Sequence, residues 1–137
     1  MIGIDGSEPS RLALRWALDE ARARHAAIDV LHAWHMPGET RSPFVSGIDT
    51  ARFEDAARVT LNDAVDGEDT SGLVAPPNRL LVSGRATPAI LERAEGADLV
   101  VVGSRGRGGF SGLLLGSVSH QVAHHAPCPV VVIPHER

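Results

Sequence analysis

Lysine is absent from this chain of 137 residues, and all 13 of its fixed cationic side chains are arginine. That absence removes the Walker-type loop, which sets a lysine against the β- and γ-phosphates of a nucleotide. It also removes Schiff-base chemistry, because no side-chain amine can condense with a carbonyl. Cysteine is reduced to Cys128 alone. No internal disulfide can form, and a reducing compartment suits the chain. Aromatic residues make up 4%, so the core falls to Val, Leu, Ile and Ala. No apolar run is long enough to cross a bilayer, and the N-terminus lacks a secretory signal pattern. The formal net charge of −4 argues against bulk electrostatic binding to nucleic acid. These absences point to a cytoplasmic protein with no membrane and no nucleic acid as partner. The length fits one domain over residues 1–137, large enough for a proper core.

What is present is a glycine pattern. Gly103-Ser104-Arg105-Gly106 is followed by nine residues and then Gly116-Ser117. The apolar run Leu99-Val100-Val101-Val102 before it reads as a buried strand, and Ser117-Val118-Ser119-His120-Gln121-Val122 after it reads as a helix start. A phosphate needs such a connection. Glycine lets the backbone approach closely and reach positive φ, so that several N–H groups can point at one anion. The following helix adds unpaired N–H groups and its positive dipole end. The Ser117 hydroxyl adds one hydrogen bond. Arg105 and Arg107 are fixed positive charges suited to bidentate phosphate contact.

The rest of the chain alternates strands and helices. Strand one is Ile2-Gly3-Ile4-Asp5, with its turn at Gly6-Ser7-Glu8-Pro9-Ser10 and Ser7 or Ser10 as helix cap. Leu12, Ala13, Trp16, Ala17 and Ala21 repeat at helical spacing to about His25. Strand two runs from Ile28 to Trp34, and a loop with Pro37, Gly38, Pro43 and Gly47 follows. Phe53, Ala56, Ala57, Leu61, Ala64 and Val65 mark a second amphipathic helix, which the polar run from Asp66 to Gly72 breaks. Strand three is Arg79-Leu80-Leu81-Val82. Thr87-Pro88 reads as a helix start, with Thr as cap and Pro at the first helical position. Ile90, Leu91 and Ala94 face inward there, and Gly96 stops that helix. Strand five is Pro129-Val130-Val131-Val132-Ile133.

This alternation implies a single doubly wound five-stranded parallel sheet, order 3-2-1-4-5, with helices on both faces. Strands one and four are then neighbours at the point where the winding reverses, and ligands sit beyond the carboxyl ends of strands at such a point. Strand one ends at Asp5 and strand four at Gly103, so the fold argument and the glycine argument name one place. Strand five is an edge, apolar and without charge, which favours pairing with a second copy of the chain.

Plainer readings compete at several residues. By itself Gly106-Arg107-Gly108-Gly109 is compatible with a plain surface loop. A dinucleotide fingerprint fails, because Ser111 stands where its third glycine belongs. His120 and His124 stand one helical turn apart, but without a third ligand a solvated face outweighs a zinc site. His32 reads as a satisfied strand residue and Cys128 as a small hydrophobe. Asp5 is either a turn residue or a site residue.

The residues together resemble the universal stress protein family. The pattern Gly-x2-Gly-x9-Gly-Ser is that of its ATP-binding branch, and it is complete here. Ile4-Asp5-Gly6-Ser7, Ser83-Gly84-Arg85-Ala86-Thr87-Pro88 and the segment from His125 to Pro134 are similar to the family's first turn, strand-three turn and closing segment. The likeness covers nearly the whole chain and is weakest from His35 to about Thr50. Only four residues precede Asp5, so strand one is either short or begins upstream of Met1. The resemblance implies an adenine nucleotide alpha hydrolase-like, Rossmann-like fold that binds ATP with magnesium. It places Gly3, Ile4 and Asp5 along adenine and ribose, with Asp5 on a ribose hydroxyl or a metal-bound water. It places Ala33 at the adenine edge. Val102 and Gly103 fall on the ribose and α-phosphate side. Arg105 and Gly106 match the loop residues over the phosphates, with Ser104 beside them and Arg107 further along the same loop as additional candidates. Gly116, Ser117 and Val118 make the second phosphate contact.

Hydrolysis would need a group to orient water and a metal ligand near the γ-phosphate. Asp5 is the one acidic residue the pattern puts at the mouth of the site, with Glu8 a weaker candidate; no catalytic residue stands out. The expectation is a nucleotide-dependent stress-response regulator with slow or no hydrolysis. It would be a homodimer through residues 130–133 and would act through a regulatory protein partner. A nucleotide-independent dimeric interaction module and a weak ATPase are the alternatives.

Overall fold

The computed structural model of the chain describes residues 1–36, 47–106 and 115–135. In chain order the elements are β1 (Ile2–Ile4), α1 (Glu8–Arg24), β2 (Asp29–Trp34), α2 (Gly47–Asp66), β3 (Asn78–Ser83), α3 (Ala86–Ala94), β4 (Val100–Gly103), α4 (Ser117–His125) and β5 (Val130–Ile133). The strands form one sheet in the order β3-β2-β1-β4-β5. Every pairing is parallel, with Ile2 opposite both Val30 and Val101, and Val101 opposite Val131. This is the expected fold.

The two-residue period of the strands divides the core into two layers. Ile2, Ile4, Val30 and Val101 point to one face and pack with Ala13, Leu14, Ala17 and Leu18 of α1 and Leu61, Ala64 and Val65 of α2. Leu31, Val100 and Val102 point to the other and pack with Ala89, Ile90 and Ala94 of α3 and Val122 of α4. Gly3 is the exception in β1. A Cβ there would sit 2.6 Å from Ile90 Cδ1, so α3 packs into the space that glycine leaves.

Local signals explain the helix ends. Ser7 caps α1: its Oγ accepts from the Ser10 amide at 3.4 Å, and Ser10 Oγ donates to the Ser7 carbonyl at 2.9 Å. His25 ends α1 in the left-handed region at φ 52°. The buried stripe of α1 is Ser10, Ala13, Leu14, Ala17, Leu18 and Ala21, so Leu12 and Trp16 flank it rather than lead it.

Three expectations shift. The third helix starts before Thr87-Pro88: Gly84, at φ 137°, turns the chain early, and Arg85 is the cap without a side-chain bond. Pro88 is accommodated in the first turn because amides there have no intrahelical acceptor. Helix α2 begins at Gly47, a residue expected in the loop. Phe53 is 40% exposed and Ala56 is exposed, because α2 presses Ala57, Leu61, Ala64 and Val65 onto the sheet instead. The expected loop residues Pro37, Gly38 and Pro43 lie outside the described residues, as does Arg107.

Candidate functional site

Beyond the carboxyl ends of β1 and β4 the described residues line a cleft of about 540 Å³. Gly3, Ile4 and Asp5 come from β1 and its turn, Val102 and Gly103 from β4, and Arg105 and Gly106 from the segment after it. Gly116, Ser117 and Val118 bring in the start of α4. The residues of β1 and its turn thus converge at the switch point of the sheet with residues 97 or more positions away in sequence, Asp5 and Val102 being the nearest pair. The amides of the first turn of α4 have no acceptor within the helix, and its dipole is positive at this end.

Each glycine has its own reason. At Gly103 a Cβ would stand 3.0 Å from the Pro9 carbonyl oxygen, because the first turn of α1 crosses the end of β4. At Gly106 it would run into the Asp5 carboxylate. At Gly116 it would meet only ordinary contacts, the nearest being the Ser104 carbonyl at 3.5 Å. The described protein atoms therefore do not demand glycine at 116. A ligand held against that backbone would. Positive φ was the other expected reason, and the described motif glycines do not use it: Gly116 has φ −74°, and among the described residues the positive-φ glycines are Gly6, Gly72 and Gly84. Close approach, not left-handed backbone, is the reason at Gly103 and Gly106.

Asp5 is fixed by its own turn. Its Oδ1 accepts from the Ser7 amide at 2.9 Å and from Ser7 Oγ at 2.5 Å, while Gly6 takes φ 81°. The turn reading and the site reading of Asp5 are thus compatible: one oxygen holds the turn and the residue lines the cleft. Arg105 is half-buried and lines the cleft too. Glu8 is exposed and does not line it.

Two expected residues stand elsewhere. Ala33 lies one residue beyond the Ile4–His32 pair, packed against the layer of Leu31 and Ile90, and it does not line the cleft. Ser104 is 6% exposed, and its Oγ accepts from the His135 amide at 3.0 Å. His32 Nδ1 donates to the Ile4 carbonyl at 2.9 Å, which satisfies it within the sheet. His120 and His124 are exposed, and no cluster of three or more metal-ligating side chains occurs among the described residues.

Sequence reasoning missed Ser10, Ala86, Ile90, Leu115, Ser119, His120 and Gln121, which complete the cleft. Ile90 was visible only as core of the third helix, and Ala86 only as part of the strand-three turn. Ser119 had a signal: it stands three residues before Val122, on the same helical face. A serine on an apolar face needs a hydrogen-bond partner.

The comparisons with known proteins agree with this geometry. A universal stress protein of Mycobacterium tuberculosis is 38% identical over 132 residues, 96% of this chain and 44% of the relative. The chain spans less than half the length of the curated relatives it matches. A universal stress protein solved in complex with cAMP is 29% identical, with TM-score 0.70, over 96% of this chain and 93% of that one. One from Archaeoglobus fulgidus in complex with dAMP is 25% identical, with TM-score 0.65, over 96% and 94%. No described helix is long and apolar enough to cross a membrane. The family model for universal stress proteins matches residues 1–134, and the chain belongs to that family.

Proposed function

We propose that this chain binds ATP with magnesium in the cleft between β1 and β4 and acts as a cytoplasmic, nucleotide-dependent stress-response regulator. The observation that carries the reading is the convergence of Gly103, Gly106 and Gly116-Ser117 on one cleft at the switch point, with the N-terminus of α4 beside them. Gly116 strengthens it, since the described chain leaves room there that a bound group can fill. The two similar universal stress proteins hold cAMP and dAMP, adenine nucleotides that each carry a phosphate. In this chain Arg105 would meet the phosphates, the α4 amides would point at them, and Asp5 would face the ribose or the magnesium hydration shell. Turnover is slow or absent, because Asp5 is the one carboxylate among the described residues of the cleft. Titration calorimetry with ATP and magnesium tests the reading. ATP should bind, and adenosine more weakly. Binding of neither would overturn it, and single-turnover hydrolysis would separate a regulator from an ATPase.

We also propose a homodimer through β5. This strand is an outer strand of the sheet, paired with β4, and its Val130, Val131, Val132 and Ile133 are each half-buried. An apolar open edge favours pairing across a two-fold axis. Val131 packs on the α1 layer and Val132 on the α4 layer, so an aspartate at either should give monomers or aggregates. Light scattering that finds wild-type protein monomeric at micromolar concentration rejects the dimer.

A further inference from the structure

The segment that leaves β4 at Ser104 returns at Gly116, and the two ends are tied together. The Ser104 carbonyl accepts from the Gly116 amide at 2.6 Å and from Ser119 Oγ at 2.9 Å. Both of its lone pairs are thereby engaged. Ser119 Oγ also lies 3.0 Å from the Gly116 carbonyl, so its single proton is shared between two acceptors. Ser119 is 2% exposed. Ser104 is itself held from β5: its amide donates to the Ile133 carbonyl at 2.7 Å, and its hydroxyl accepts from the His135 amide at 3.0 Å. The chain of bonds runs from the edge strand through Ser104 to the first turn of α4.

From this arrangement we infer that Ser119 is a positioning residue for the phosphate end of the nucleotide site, a step that rests on the reading given under Proposed function. Its partner lies 15 residues away, just past the end of β4, so it does more than satisfy itself within its own helix turn. Ser117 and Val118, the residues whose amides would meet the phosphates, lie between Gly116 and Ser119. With both bonds in place the start of α4 is fixed to the end of β4 at two points. Without the Ser119 hydroxyl one point remains, the Gly116 amide, and the turn can pivot about it. Adenine and ribose, which would lie against β1, do not depend on that turn.

The test compares ATP with adenosine as ligands for the wild-type chain, Ser119→Ala and Ser119→Cys. Cysteine fills the volume of serine but donates weakly, which keeps the test open if the alanine variant folds poorly. Both variants should bind ATP about tenfold more weakly and adenosine unchanged, the size of one hydrogen bond to a charged group. Thermal melting run alongside reads the fold. A residue that merely supports the fold would lower both affinities together or neither. An unchanged ATP-to-adenosine ratio in both variants, with wild-type protein binding ATP, overturns the inference and leaves the nucleotide site standing. Wild-type protein that binds neither ligand overturns the nucleotide site, and this inference with it.

Discussion

Two hollows open at opposite ends of the sheet, and the larger is the poorer place for a phosphate. The one at the amino ends of the strands has a volume of about 790 Å³. Its walls carry Glu20, Asp29, Glu92 and Asp98 against Arg24 and Arg93. Helix α1 finishes there, at His25 with Arg22 and Arg24 in its last turn, so negative dipole ends and their compensating cations gather at that end. The cleft at the carboxyl ends is smaller, about 540 Å³, but it has glycine-lined backbone, Arg105 and a helix N-terminus. Parallel strands joined by helices force this polarity: each helix begins where a strand ends. On the proposed reading an anion would be selected by which end of the sheet it meets, not by the room it finds.

The largest expected effect breaks the carboxyl-end cleft outright. Gly106→Val drives a side chain into the Asp5 carboxylate and into the space the phosphates would fill. ATP affinity should fall by at least about a hundredfold. Equal affinity by calorimetry would show that phosphates do not lie there.

Arg105→Ala comes next. It removes a charge from the cleft without adding volume. ATP should weaken by about ten- to a hundredfold and adenosine by less than about twofold, since only ATP carries phosphate. Equal losses for both ligands would give Arg105 a structural role.

A filled amino-end hollow should change little. Ala27→Arg places a long side chain at an exposed position of its wall. ATP affinity should stay within about twofold, as distant sites act independently. A tenfold loss would mean that the two ends are coupled.

The smallest effect is on pH dependence at the amino end. The Arg79 guanidinium, 2.5 Å from Asp66, holds that carboxyl below its ordinary value. A depressed carboxylate contributes stability above the ordinary carboxylate range, and the contribution is lost as pH falls through the depressed value. The pair is exposed, so Asp66→Asn should flatten the acid limb of a melting-temperature profile only slightly. ATP affinity at neutral pH should not move. A melting profile of Asp66→Asn that matches wild type throughout the acid range would show that this pair contributes nothing.

Much of the fold was legible because its signals are local or periodic. Runs such as Val100-Val101-Val102 fit only a doubly covered strand, and alternation with helices fixes the parallel sheet and its order. The glycine spacing was legible as a pattern, but its reason was not: Gly103 and Gly106 stand where Pro9 and Asp5 approach the backbone. The start of α3 was misread because Thr87-Pro88 is a strong local signal, whereas Gly84 decides where the chain turns. Phe53 was misread because helical spacing alone admits two neighbouring faces of α2, and packing on the sheet selected the one with Ala57 and Leu61.

The sequence by itself determined the fold class, the strand order and the glycine pattern, since these rest on periodicity and on conformational limits of single residues. Only the tertiary structure decided why each glycine stands where it does: Gly3 for Ile90, Gly103 for the Pro9 carbonyl and Gly106 for Asp5. It alone decided that Ser104 turns inward and is met there by Ser119. Those assignments depend on which side chain or carbonyl passes within about 3 Å of each glycine, and that distance is set by packing between elements far apart in the chain.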